Sequence, residues 1–167
     1  MKDAAVRDKG TSVQILVSGD NNGIPEALSN DDLTVFKSYM NRVKIAGVIL
    51  NITSKESDKL LINATIYIDP LILDNTGTSI ANDNKPVEDA ITLFLKSIIY
   101  GGIFNKTKLV DAIQAVEGVS DIELGECQYQ KEGETTWTTI PGNNYSGASG
   151  SYIPSGLSTS LIYVVSD

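Results

Sequence analysis

The chain of 167 residues contains no histidine and a single cysteine, Cys127. Without histidine, Ser-His and Cys-His catalysis, the usual neutral-pH general base and the commonest zinc ligand are excluded together. A lone cysteine excludes an internal disulfide and a cysteine-type structural zinc site, and it fits a reducing compartment. Cys127 therefore reads as a small apolar filler rather than a reactive thiol. No apolar run approaches the roughly 18 residues that a membrane span needs. The opening Met1-Lys2-Asp3-Ala4-Ala5-Val6-Arg7-Asp8 carries charges where a signal peptide has its apolar stretch, so no routing to secretion is expected. Basic clusters are scarce too. Thirteen Lys and Arg stand against 21 Asp and Glu, a net charge of -8, and Lys106-Thr107-Lys108 is the densest positive group. Phosphate neutralisation needs clustered cations, so nucleic acid is not an expected partner.

What is present suffices for a folded core. Apolar residues make up 41% of the chain and charged ones 20%, ordinary values for a globular protein of one domain or two packed subdomains. From Ser12 to Ser18, Val13, Ile15 and Val17 alternate with Gln14 and Leu16 as a strand. Ser29-Asn30-Asp31-Asp32 offers a capping oxygen and first-turn acids to a helix, whose apolar face is Leu33, Phe36, Met40 and Val43. Val48, Leu50 and Ile52 share one face of a next strand. Leu60, Ile62, Ala64, Ile66 and Ile68 share one face of another, with Asn63, Thr65 and Tyr67 opposite. Ser54-Lys55-Glu56-Ser57-Asp58 reads as the hairpin loop between these two strands.

Residues 12–69 are thus expected to form a β-α-β-β subdomain after an N-terminal segment, 1–11. Residues 70–86 form a long polar connection, a linker or a functional loop. Residues 87–167 carry a helix pair and a mostly antiparallel β region, so the fold class is α+β. In the first helix of that pair Val87, Ala90, Ile91, Phe94, Leu95, Ile98 and Ile99 keep the helical spacing, with Pro86 at its start and Gly101-Gly102 at its end. The second carries Leu109, Val110, Ile113 and Val116 and stops at Gly118. Ile122 and Leu124 then alternate with Asp121 and Glu123. Thr135–Ile140 and Ser160–Val165 complete the strands, with a Gly, Asn and Ser-rich loop over 141–151. There is no internal repeat of fixed period and no heptad seam.

No catalytic, cofactor-binding or metal-binding residue emerges. Gly19-Asp20-Asn21-Asn22-Gly23 follows a strand but lacks both Gly-rich phosphate patterns, and reads as a hairpin-type turn. Asp74-Asn75-Thr76-Gly77 and Asn82-Asp83-Asn84 have the composition of calcium loops without the EF-hand Gly and Glu positions, and read as solvated loop. The pairs Asp31-Asp32 and Glu88-Asp89 fit helix first turns. Trp137, Tyr129, Tyr145, Tyr152 and Tyr163 read as core or sheet packing, with a partner-binding face as the second reading.

One stretch says more. Ala90-Ile91-Thr92-Leu93-Phe94-Leu95 is followed by Tyr100-Gly101-Gly102-Ile103-Phe104-Asn105-Lys106-Thr107-Lys108-Leu109, then Asp111-Ala112-Ile113 and Val116-Glu117-Gly118-Val119-Ser120-Asp121-Ile122-Glu123-Leu124. This order of helix, glycine turn, short helix and Gly-Val entry into a strand resembles the baseplate J-like family of contractile phage tails and related injection machines, in its C-terminal half. Val43-Lys44-Ile45-Ala46-Gly47-Val48 and the tail from Ser151 to Leu157 are similar to that family as well. Two features depart from it: members are commonly longer at the N-terminus, and the 70–86 connection is long.

The resemblance implies a structural subunit of a virion tail or prophage baseplate, assembled in the bacterial cytoplasm through other tail or baseplate subunits. It implies no enzymatic activity, cofactor, nucleic acid or membrane. Gly101, Gly102, Leu109, Ile113, Gly118, Val119 and Ile122 would be its fold-determining positions. The isolated chain is expected to be a monomer or weak oligomer, with the 70–86 and 141–151 loops too poor in apolar residues to order without a neighbour. Two rival readings are a Mg-dependent nucleotide-handling enzyme such as a nucleotidyltransferase, and a bacterial surface or adhesion module. The first lacks an Asp-x-Asp pair on any expected strand.

Overall fold

The alternation from Leu60 to Ile68 becomes the centre of the structure, a computed structural model that describes residues 2–166. Strand β5 (Asp58–Ile68) buries every second side chain from Asp58 onward, and of the others Lys59 is exposed and the rest half-exposed. On one edge it pairs antiparallel with β7 (Val119–Gln130), Ile66 opposite Ile122 and Ile62 opposite Cys127. A bulge of β7 stands opposite Asn63, whose Nδ2 donates to the Glu126 carbonyl at 2.8 Å. On the other edge β10 (Tyr152–Pro154) and β11 (Leu161–Val165) follow one another, both parallel to β5. The short β8 (Thr138–Thr139) adds to the far side of β7.

Two helices cover the apolar face of this sheet. Helix α2 (Pro86–Ser97) places Val87, Ile91 and Leu95 fully inside, and α3 (Lys106–Gln114) places Leu109 and Ile113 there. Each such aliphatic side chain contributes roughly 1.5–3 kcal/mol by leaving water. Pro86 takes the first turn of α2, and the Asn105 side chain caps α3 by accepting from the Lys108 N–H at 2.9 Å. Phe104, fully buried, packs edge-on to Phe94 and tilted against Tyr152.

A second, smaller sheet is built on β2 (Val13–Asn21). It pairs antiparallel with β1 (Asp3–Asp8) and β3 (Ile24–Glu26), and parallel with β4 (Leu50–Thr53). Asn22 and Gly23 both have positive φ, the two-residue turn that suits a twisted hairpin, so the expected turn is these two residues while Gly19–Asn21 belong to β2. Helix α1 (Asn30–Val43) is the crossover between the parallel strands. Ser29 caps it by accepting from the Asp32 N–H at 3.1 Å, and Leu33, Phe36 and Met40 pack over Ile15, Val17 and Ile52.

The α+β class stands, and several local expectations are revised. The expected 12–69 unit is divided. β4 stays with β2, while β5 leaves for the other sheet, so 54–57 is a crossing between sheets and not a hairpin loop. The five-residue apolar face of β5 is the larger, and only α2 and α3 together cover it. The Ser54 side chain fixes the exit, donating to the Val17 carbonyl and accepting from the Leu28 N–H. The 1–11 segment supplies an edge strand. The larger sheet, expected to be mostly antiparallel, is mixed, because β10 and β11 run parallel to β5. Helix α2 ends at Ser97, which leaves Ile99 outside its buried face at 84% exposure. Val43 is likewise exposed, and the 135–140 strand shrinks to two residues.

The 70–86 connection folds on itself. Leu73 is buried, and the N–H groups of Ile72 and Leu73 donate to the Asp69 carbonyl, while that of Ile80 donates to the Ile72 carbonyl. The Asp74 carboxylate accepts from the N–H groups of Thr76 and Thr78 and from the Thr76 hydroxyl, bonds that hold its carboxyl below the usual range. The 141–151 loop is tied down as well. Its β9 (Asn144–Tyr145) pairs with β6 (Phe104–Asn105), and Ser149, Gly150 and Ser151 are buried. Backbone bonding and a few anchored side chains order both loops, where apolar content alone would not.

Candidate functional site

The residues singled out by the 90–124 resemblance occupy packing positions. Leu109 and Ile113 are fully buried, Ile122 nearly so, and Val119 packs at the margin of the same core. Gly118 turns the chain from α3 into β7 with φ of +89°, and a Cβ there would lie 2.7 Å from Ile72 Cγ2 and 2.9 Å from Leu73 Cγ. It therefore seats the 70–86 loop as well as turning the chain. A Cβ on Gly102 would lie 2.6 Å from the Ile99 carbonyl oxygen. Gly101 lies where the two sheets meet: a Cβ there would be 2.5 Å from Ala5 Cβ, and one on Gly150 would be 2.4 Å from Gly101 Cα. No side chain fits between these backbones.

That junction is a web of polar groups. Arg7 Nη2 donates to the Gly101 carbonyl at 2.8 Å, and Tyr100 Oη donates to the Val17 carbonyl at 3.0 Å. Ser57 Oγ lies 2.9 Å from both the Pro25 carbonyl and Ser151 Oγ. Tyr145 Oη donates to Asp58 Oδ2 at 2.9 Å, while its ring stacks on Tyr129 with centroids 4.2 Å apart. Tyr152 Oη accepts from the Gly147 N–H and lies 3.0 Å from the carbonyls of Gly102 and Tyr145. Burial pushes the Asp58 carboxyl up, against the opposing hydrogen bonds of Tyr145 and the Ala148 N–H. Burial likewise raises the Tyr100 hydroxyl to about 12.

Each of these buried groups holds another part of the chain, so the web works as a rigid joint. Beside it runs a cleft of about 270 Å³, walled by Ile24, Pro25, Ile98, Ile99, Tyr100 and Ile153. Lys2 at its rim is paired with Asp20 at 2.8 Å. Among the described residues no three His, Cys, Asp or Glu side chains converge as a metal site. No helix among them is long and apolar enough to cross a membrane.

The other sequence candidates stay apart. Asp31 and Asp32 lie in the first turn of α1, and Glu88 and Asp89 in that of α2, where Glu88 pairs with Lys85 at 2.8 Å. Cys127 is buried, and burial raises its thiol. Tyr129, Tyr145 and Tyr152 join the packed aromatic row that runs on to Phe104 and Phe94, while Trp137 stands half-exposed outside it. Ala5, Arg7, Ser57 and Asp58 went unmarked in the sequence. Asp3–Asp8 reads Asp-Ala-Ala-Val-Arg-Asp without apolar-polar alternation, so its alternate burial as an edge strand shows only in the structure.

Large aliphatic side chains stand exposed on several separate elements of the outer surface. Val35, Ile45 and Ile49 stand on or after α1, Leu71 and Ile80 in the 70–86 loop, Leu93 on α2, Ile99 in the turn after it, and Ile162 on β11. No protein-family model matches the chain, and no curated protein matches it either.

Proposed function

We propose that this chain is a non-catalytic subunit of a phage-type contractile tail baseplate, which acts by holding fixed contacts to neighbouring tail subunits. The observation that carries the reading is the combination of a rigid joint with aliphatic side chains exposed on several separate elements. Single exposed aliphatics are ordinary on a monomer; here they stand on several separate elements, where neighbouring subunits could cover them. Leu71 and Ile99, at 83% and 84% exposure, are held by an internally bonded loop and by the turn after α2. A subunit that bridges several neighbours needs such surfaces at fixed mutual angles. The order from α2 through Gly101, α3 and Gly118 into β7 supports the same reading through its resemblance to the baseplate J-like family. The polar groups of the joint are bonded within the chain, which suits scaffolding.

The test is direct localisation. Contractile tail particles purified from the source organism should contain the chain at fixed stoichiometry by mass spectrometry, and a specific antibody should label the baseplate end. Particles that assemble and contract normally after deletion of its gene would overturn the proposal. A rise in thermal midpoint with Mg²⁺ and a nucleotide would favour the enzyme reading instead.

A further inference from the structure

We infer that α1 is a self-recognition surface, through which two copies of this chain associate as an antiparallel two-fold pair. The helix has two apolar sides. Leu33, Phe36 and Met40 face the small sheet. Away from it, Val35 and Tyr39 stand 70% and 59% exposed, and with Leu28, Asp32 and Phe36 they line a shallow groove. Asp32, Val35, Tyr39 and Arg42 succeed one another at steps of three, four and three residues. At 3.6 residues per turn these four fall within a stripe roughly 80° wide, the seam spacing of paired helices. Lys37 projects from nearly the opposite side of the helix.

Two properties of the seam select a second copy as its occupant. The steps read the same in both directions, so an identical antiparallel helix meets the seam in register. Val35 then faces Tyr39 of the second copy, and Tyr39 faces its Val35. The charge also reverses along the seam, so Asp32 of each copy meets Arg42 of the other at both ends. Neither residue has an ion-pair partner within its own chain among the described residues. A parallel pair would instead set Asp32 against Asp32 and Arg42 against Arg42. Antiparallel helices also oppose their dipoles favourably. The net charge of -8 on each copy repels at long range, and ordinary salt screens that beyond about 8–10 Å. A contact on one 14-residue helix lies at the small end of specific interfaces, so the pair should form reversibly and with concentration. This self-association does not depend on which machine the chain serves.

Sedimentation velocity over a protein dilution series tests it, with circular dichroism confirming that each variant is folded. The parent chain should shift from monomer toward dimer as concentration rises. Tyr39→Asp, at an exposed position, should abolish the dimer. Asp32→Arg or Arg42→Asp alone turns both end contacts into like-charge pairs and should weaken association about tenfold. The double swap, Asp32→Arg with Arg42→Asp, should restore it to within about threefold of the parent, because the symmetric pairs re-form with reversed sign. A parent chain that stays monomeric at its solubility limit would overturn the inference. So would a dimer indifferent to Tyr39→Asp, or a double swap no better than the single ones.

Discussion

Gly118→Ala perturbs the point where helix, strand and loop meet, and the structure divides its effect into two parts. The first is conformational: φ of +89° is strained for any residue with a Cβ, at about 1–2 kcal/mol. The second is steric: the new methyl would sit 2.7–2.9 Å from Ile72 and Leu73 side-chain atoms, over-packing that typically costs about 1–3 kcal/mol. Gly133 separates them, since its φ is +77° and a Cβ there meets nothing within 4 Å. Gly133→Ala should therefore destabilise by about 1–2 kcal/mol and Gly118→Ala by about 2–5 kcal/mol. Urea unfolding at equilibrium measures both. Adding Ile72→Ala removes the nearer obstruction, so the pair with Gly118→Ala should destabilise by less than the sum of the two single changes. Equal effects of Gly118→Ala and Gly133→Ala, together with strict additivity with Ile72→Ala, would refute the idea that Gly118 seats the loop.

Phe104→Ala should cost about 3–5 kcal/mol by opening a cavity between Phe94 and Tyr152, whereas Lys96→Ala, on the exposed side of α2, should stay within about 0.5 kcal/mol. Asp58 should give a slope of unusual sign in stability against pH. Its folded value is raised, so its contribution is full below the ordinary value of about 4 and is lost as pH rises through the higher folded value. Parent stability should thus fall relative to Asp58→Asn as pH climbs above about 4 in urea titrations, and a constant difference would disprove it. Brief digestion with a broad-specificity protease should cut first in the exposed stretches 43–47 and 131–136, with 70–86 and 141–151 surviving longer. First cuts inside 70–86 would show that its internal bonding does not hold in solution.

The local devices were legible along the chain. Alternation from Leu60 to Ile68, the Ser29 cap, the proline start of α2 and the spacing of Leu109 and Ile113 each depend on residues a few positions apart. Side-chain period and capping chemistry act at that range, so the sequence carries them directly. Gly118 was legible as the stop before the next strand for the same reason, since a glycine after a helix announces its turn.

Tertiary structure alone decided which strands meet. An alternating strand shows which side chains it buries and not which neighbour it pairs with. β5 therefore read as the hairpin mate of β4, yet it lies between β7 and the β10–β11 edge, where the largest apolar faces can be covered together. The joint unites Arg7 with Gly101, Ser57 with Ser151 and Asp58 with Tyr145, partners some ninety positions apart. Polar residues at that separation carry no periodic mark. The 70–86 loop read as solvated because its order comes from backbone hydrogen bonds and the anchors Ile72 and Leu73, which overall composition does not register. On α1 the spacing of Leu33, Phe36 and Met40 was legible as the face that packs on Ile15, Val17 and Ile52. That Val35 and Tyr39 form an outward stripe of their own was not, because a stripe of two apolar residues between Asp32 and Arg42 makes no periodic signal.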